Sequence, residues 1–96
     1  MKTFTKIKVA VIHDAFEAAP TTVALVEVDK TLTDMNKCEV AFKLTNNIKT
    51  AWWNNEEVTP MFDGKTCRST SVGDMVLVGN TKYKFLGTET VVWEKV

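Results

Sequence analysis

Apolar and polar positions alternate from Lys6 to His13, with Ile7, Val9 and Val11 on one side and Lys6, Lys8 and Ala10 on the other. That period of two predicts a half-buried β-strand. Ile12 breaks the alternation at its end. Asp14 to Pro20 reads as a connection with room for one helical turn, stopped by Pro20. Thr21 to Asp29 is β-branched and apolar but alternates only in part, which predicts a second strand covered on both faces and paired with the first. The period then changes. Met35, Cys38, Ala41, Phe42 and Thr45 fall on one helical stripe, with Thr33 or Asp34 as N-cap and Asn46-Asn47 as a left-handed stop. One helix is therefore expected over Thr33–Asn46.

The second half reads as short strands and tight turns. Glu57 to Phe62 contains Pro60, which places that strand on a sheet edge. Asp63-Gly64 predicts a two-residue hairpin turn, with Lys65 to Ser69 returning as its partner. Ser69 to Asp74 is a polar turn. Met75–Val78 and Thr81–Leu86 form a hairpin about Gly79-Asn80, with Tyr83 and Phe85 on one face and Lys82 and Lys84 on the other. Gly87 ends that strand, and Thr90 to Val96 is the last. Six or seven short strands and one helix predict a mainly β fold, a small, strongly bent sheet or open barrel spanning residues 1–96 as a single domain.

Composition narrows the classes of function. Ninety-six residues, 45% hydrophobic and 25% charged, suffice for a modest core, and self-association would bury more surface. Twelve basic and twelve acidic residues give a formal net charge of zero, which argues against a strongly basic nucleic-acid binder but not against a local basic face. No apolar run approaches the roughly 18 residues of a membrane span, and the N-terminus has no signal-peptide cleavage pattern. Cys38 and Cys67 lack metal-ligand spacing, and one histidine cannot complete a Cys/His zinc site. They read as reduced thiols of an intracellular protein, with no metal and no cofactor expected.

Catalytic patterns are sparse. His13 and Asp14, adjacent on a strand, face opposite ways and form no dyad. Cys67 with His13 would need to meet in space, in a setting that stabilises a thiolate. Glu56-Glu57 reads as solvated charge, and no glycine-rich phosphate loop is present. A non-enzymatic protein without a small-molecule substrate is expected. Nucleic-acid chemistry has better candidates. Lys82 with Lys84, Lys6 with Lys8, and Arg68, the one arginine, can neutralise phosphates, while Tyr83, Trp52 and Trp53 can stack on bases. The competing reading makes the lysines a solvated strand face, one tryptophan core and the other an interface seal. Ser69, Thr70 and Ser71 read as a capped turn whose backbone donors Asp74 accepts, with a phosphate contact beside Arg68 as the alternative.

Thr45-Asn46-Asn47, Trp52-Trp53 and the run Arg68-Ser-Thr-Ser-Val-Gly-Asp74, with Tyr83 after a short hairpin, carry a resemblance over roughly Lys6 to Trp93. The chain resembles small Sm-like proteins of marine phage (cyanophage) origin, common in ocean metagenomes. The resemblance implies an Sm-like barrel of the SH3 type that assembles into homo-oligomeric rings, binds RNA or single-stranded DNA, and works without catalysis in the host cytoplasm. Sm proteins carry their helix before the barrel, whereas here it follows two strands, and Phe85 stands where the Tyr-Lys motif of bacterial Sm-like RNA chaperones continues with histidine. The expected function is nucleic-acid binding, RNA foremost, in RNA or DNA processing or regulation. The alternative is a protein-interaction or assembly module that recruits a partner along its exposed edge strands.

Overall fold

The computed structural model describes residues 5–48 and 50–96; the basic start of the chain, Met1 to Phe4, lies outside them. Six antiparallel strands form one sheet: β1 (Lys6–His13), β2 (Thr21–Asp29), β3 (Val58–Pro60), β4 (Met75–Val78), β5 (Thr81–Phe85) and β6 (Trp93–Lys95). Their order across the sheet is β3-β2-β1-β4-β5-β6, so the sheet is open, with β3 and β6 as its end strands. One helix, α1 (Asp34–Leu44), follows β2, and a short 3-10 turn covers Trp52–Asn54.

The alternation of β1 continues into the strands beside it. Val9 pairs with Val26, and Val11 pairs with Ala24 on one side and Val76 on the other; all five are buried beneath the helix. β2 was expected to be covered on both faces, but only one face is. Its two consecutive core residues, Val23 and Ala24, arise from a β-bulge opposite the Val11/Ile12 step, after which Leu25 and Glu27 turn outward and Val26 and Val28 inward. A one-residue insertion rotates the strand locally, which is why its sequence alternates imperfectly.

α1 starts where its cap predicts, with the Thr33 side chain accepting from the Asn36 N–H at 3.2 Å. It does not stop on a left-handed asparagine, since no described non-glycine residue has positive φ. Thr45 is the C-cap instead, its hydroxyl donating to the Ala41 carbonyl at 2.8 Å, while the Asn46 side-chain amide donates to the Phe42 carbonyl. Side chains bind the helix to the far strands: Tyr83 Oη donates to Asp34 at 2.7 Å and Trp93 Nε1 to Glu39 at 2.9 Å. Phe85 fills the space between, with ring centroids 4.4 Å from Phe42 and 4.9 Å from Trp93.

The hairpin expected at Asp63-Gly64 is absent. Gly64 does take φ +93°, but Lys65 to Ser69 forms no ladder. Polar groups there are drawn to the loop after the helix: Thr70 N–H donates to the Thr45 carbonyl, Asn47 N–H to Ser69 Oγ, and Trp52 Nε1 to the Arg68 carbonyl. The Gly79-Asn80 turn forms as expected, with Gly79 at φ +59°. Among the described residues, no helix is long and apolar enough to cross a membrane.

Candidate functional site

Two regions gather the polar candidates, and they differ in what surrounds the charge. The first is the segment 67–74. Arg68 faces two carboxylates. Nη1 and Nη2 donate to the two oxygens of Asp74 at 2.7 and 2.9 Å, and Nη2 and Nε to Glu17 at 2.7 and 3.3 Å. The guanidinium also lies 4.9 Å from the Phe16 ring centroid. Asp74, fully buried, accepts further from the backbone N–H groups of Asp14, Ala15 and Ser71. Burial alone would raise its carboxyl, but the bonds from Arg68 and those three amides outweigh it and hold the group at about 2. Bonding to Arg68 likewise lowers Glu17, and Arg68 is raised above its ordinary value chiefly by Asp74. The run from Arg68 to Asp74 is thus a clasp that closes the β1–β2 connection onto the β4 entrance. Gly73, at φ +97°, permits its turn, and a Cβ there would meet Ala15 at 3.0 Å. Arg68, expected as a phosphate contact, thus has its charge met by two carboxylates of its own chain.

His13 sits beside this clasp, 1% exposed. Its Nε2 is 3.0 Å from Thr70 Oγ1, which is 2.7 Å from Thr45 Oγ1. Because the Thr45 hydroxyl donates to Ala41, Thr70 must donate to Thr45 and so accepts from His13. Nε2 therefore carries the proton, consistent with Asp74 Oδ2 standing 3.9 Å from it, and Nδ1 is left as an acceptor facing Cys67 Sγ at 3.8 Å. Sequence spacing gave no sign that His13 and Cys67 would meet; the strand end and the loop return are 54 residues apart. The setting does not make a thiolate. Burial lowers His13 despite Asp74 nearby, and burial raises Cys67 despite Arg68, so the pair rests as neutral imidazole and thiol. Cys38, under the helix, is pushed by burial to about 12.

The second region is the helix-free face of the sheet. Residues opposite in register share a face, so Lys6, Lys8, Lys82 and Lys84 all lie on this one. Lys82 lines up across the sheet with Leu77, Ala10, Leu25 and Thr59, the three apolar members half-buried. Carboxylates stand opposite three of the lysines, Asp29 to Lys6, Glu27 to Lys8 and Glu94 to Lys84, yet none of these pairs closes to an ion pair in the structure. Lys6, Lys8 and Lys82 are exposed and Lys84 partly so.

The aromatic candidates are elsewhere. Trp52 is 0% exposed in the core and Tyr83 is 7% exposed on the helix side, its hydroxyl bonded to Asp34. Neither has a ring face for a base, and both are corrected as stacking residues. Trp53 is partly buried, edge-on to Trp52 and Phe62 at 5.5 and 5.4 Å. A cleft of about 300 Å³ lined by Lys43, Leu44, Asn46, Ile48, Thr50 and Asn55 includes none of the predicted residues. Among the described residues no group of three or more His, Cys, Asp or Glu is arranged to hold a metal. Comparison with protein-family models, with curated proteins and with solved structures returns no match to this chain.

Proposed function

We propose that this chain is a non-catalytic nucleic-acid-binding protein, Sm-like in kind, that holds single-stranded RNA, or single-stranded DNA, on the helix-free face of its sheet. The observation that carries the reading is the co-facial set Lys6, Lys8, Lys82 and Lys84, each without an ion-pair partner among the described residues. Strands β1 and β5 flank β4, and the register sets Lys82 level with Ala10 and Lys84 level with Ile12, so the two lysine pairs are staggered along one pleated surface. Phosphates, not bases, are the contacted groups, because the buried Tyr83 and Trp52 offer no stacking surface. Binding is then electrostatic and tolerant of sequence. The Sm-like kinship, the phage origin and a role in RNA or DNA processing in the host cytoplasm belong to the same proposal, supported by the short antiparallel strands and the resemblance of the Arg68–Asp74 run.

Titration of labelled single-stranded RNA and DNA at several salt concentrations tests it. Four phosphate contacts predict a slope of log K against log salt near −2.8, at about −0.7 per contact. Lys82→Gln with Lys84→Gln should halve that slope. Absence of binding at low salt, or binding indifferent to salt, rejects the proposal.

A further inference from the structure

The two end strands of the sheet differ in the hydrogen bonds they can still make. In β3, Thr59 pairs inward with Leu25, leaving Val58 and Pro60 to face outward. Val58 N–H already donates to the Asn55 carbonyl at 3.1 Å, and Pro60 has no N–H. The β3 edge therefore presents carbonyls and no donor. In β6, Val96 N–H donates to the Lys82 carbonyl and Val92 O accepts from Leu86 N–H, so Val92, Glu94 and Val96 turn their backbone toward β5. Trp93 and Lys95 turn theirs outward, presenting two donors and two acceptors.

We infer that β6 pairs with β6 of a second copy of this chain, antiparallel about a two-fold axis through Glu94, making a dimer with one continuous twelve-stranded sheet. One register uses every outward group: Trp93 opposite the partner's Lys95 and Lys95 opposite the partner's Trp93, four backbone hydrogen bonds in all. A shift by two residues either way keeps only two of them. Shifting toward Val91 brings in groups already engaged with Thr88. The same register sets Val92 directly against the partner's Val96, twice. These valines are 41% and 60% exposed, so the joint covers apolar surface that the single chain leaves to water. Between them Glu94 meets its own copy, and each Glu94 has Lys84 of its own chain opposite it on β5. Faces match across a two-fold of this kind, so the lysine faces of both copies become one surface.

A head-to-tail ring would instead join β6 of one subunit to β3 of the next, where β3 has no donor to return. Sedimentation equilibrium in the absence of nucleic acid distinguishes these arrangements and leaves the nucleic-acid reading untouched. The expected result is a monomer–dimer equilibrium. Lys95→Pro removes an outward donor that no bond uses among the described residues and should leave only monomer, with an unchanged circular dichroism spectrum. Val96→Lys should do the same without altering the backbone. Glu94→Gln removes the like-charge contact and should tighten the dimer several-fold, up to about fivefold. Pro60→Ala on the other edge should change nothing. A monomer at millimolar concentration, a ring mass, or a dimer indifferent to both Lys95→Pro and Val96→Lys overturns the inference.

Discussion

Arg68 and the Lys82–Lys84 pair look alike as phosphate ligands in the sequence, and the fold treats them in opposite ways. Arg68 is drawn inward, its five donors met by Asp74, Glu17 and the Ser69 carbonyl. The lysines are left on a pleated face, Lys84 with Glu94 opposite but not bonded and Lys82 opposite Leu77. A cation is available to a ligand only where folding has not already supplied its counter-ion. Arginine's planar fork suits the buried, bidentate role, while lysine's flexible stem suits the solvated one.

The largest effect expected from this contrast is on stability. Asp74→Ala would take from Arg68 its buried counter-ion and two of its five bonds, leave three backbone donors without their acceptor, and should cost about 3–5 kcal/mol, a large part of a small domain's total stability. Urea denaturation measures it. If Asp74→Ala unfolds at the wild-type midpoint, the clasp is not what closes the loops.

Acid should act on the same region. His13 is held neutral in the folded state, with its value lowered, so the unfolded chain binds the extra proton below about 6.5. Asp74 is held at about 2, well below an unfolded aspartate near 4. Both signs agree: stability is full above pH 6.5, declines as pH falls through the His13 range, and falls more steeply below pH 4. The groups around His13 are Thr70, Asp74, Cys67, Arg68 and Glu17; the two carboxylates are lowered and the thiol and guanidinium raised, so none of them shares the His13 range. His13→Asn should therefore flatten thermal midpoints between pH 6.5 and 5 while keeping the loss below 4.

A smaller effect separates the two faces of β5. Tyr83→Phe removes the hydroxyl bond to Asp34 and should cost about 0.5–1.5 kcal/mol of stability with no change in nucleic-acid affinity, read by denaturation and by titration on one preparation. Smallest in stability is Lys82→Gln with Lys84→Gln, each within about 0.5 kcal/mol as an exposed substitution. If this pair destabilises the fold as much as Tyr83→Phe does, the lysines belong to the structure and the lysine face loses its claim as a binding surface.

Much of the architecture was legible from local rules. The strand Lys6–His13, the Thr33 cap, the Gly79 turn and the edge position of the Pro60 strand each follow from period, capping or the missing proline donor within a few residues. The failures share a cause. Asp63-Gly64 favours a hairpin with Lys65–Ser69 as its returning strand, yet the Arg68 carbonyl is taken by Trp52, the Ser69 hydroxyl by Asn47 and the following Thr70 N–H by Thr45, all distant in sequence. Thr21–Asp29 seemed covered twice because a bulge brings two apolar neighbours to one face. Tyr83 and Trp52 were candidate platforms because an aromatic residue looks the same in sequence whether it is core or surface.

The chain by itself determined the kinds and order of its main elements, β1, β2, α1 and the β4–β5 hairpin, since dihedral preference and hydrophobic period act over a few residues. It also determined that Ser69–Asp74 is a turn with Asp74 accepting backbone donors, as spacing and residue type required. Only the tertiary structure decided that Arg68 closes on Asp74 and Glu17, that His13 Nδ1 faces Cys67, that four lysines share one face and that β6 rather than β3 keeps its donors. Those facts depend on strand register and on loops meeting across more than fifty residues, and such meetings are set by the packing of the whole domain.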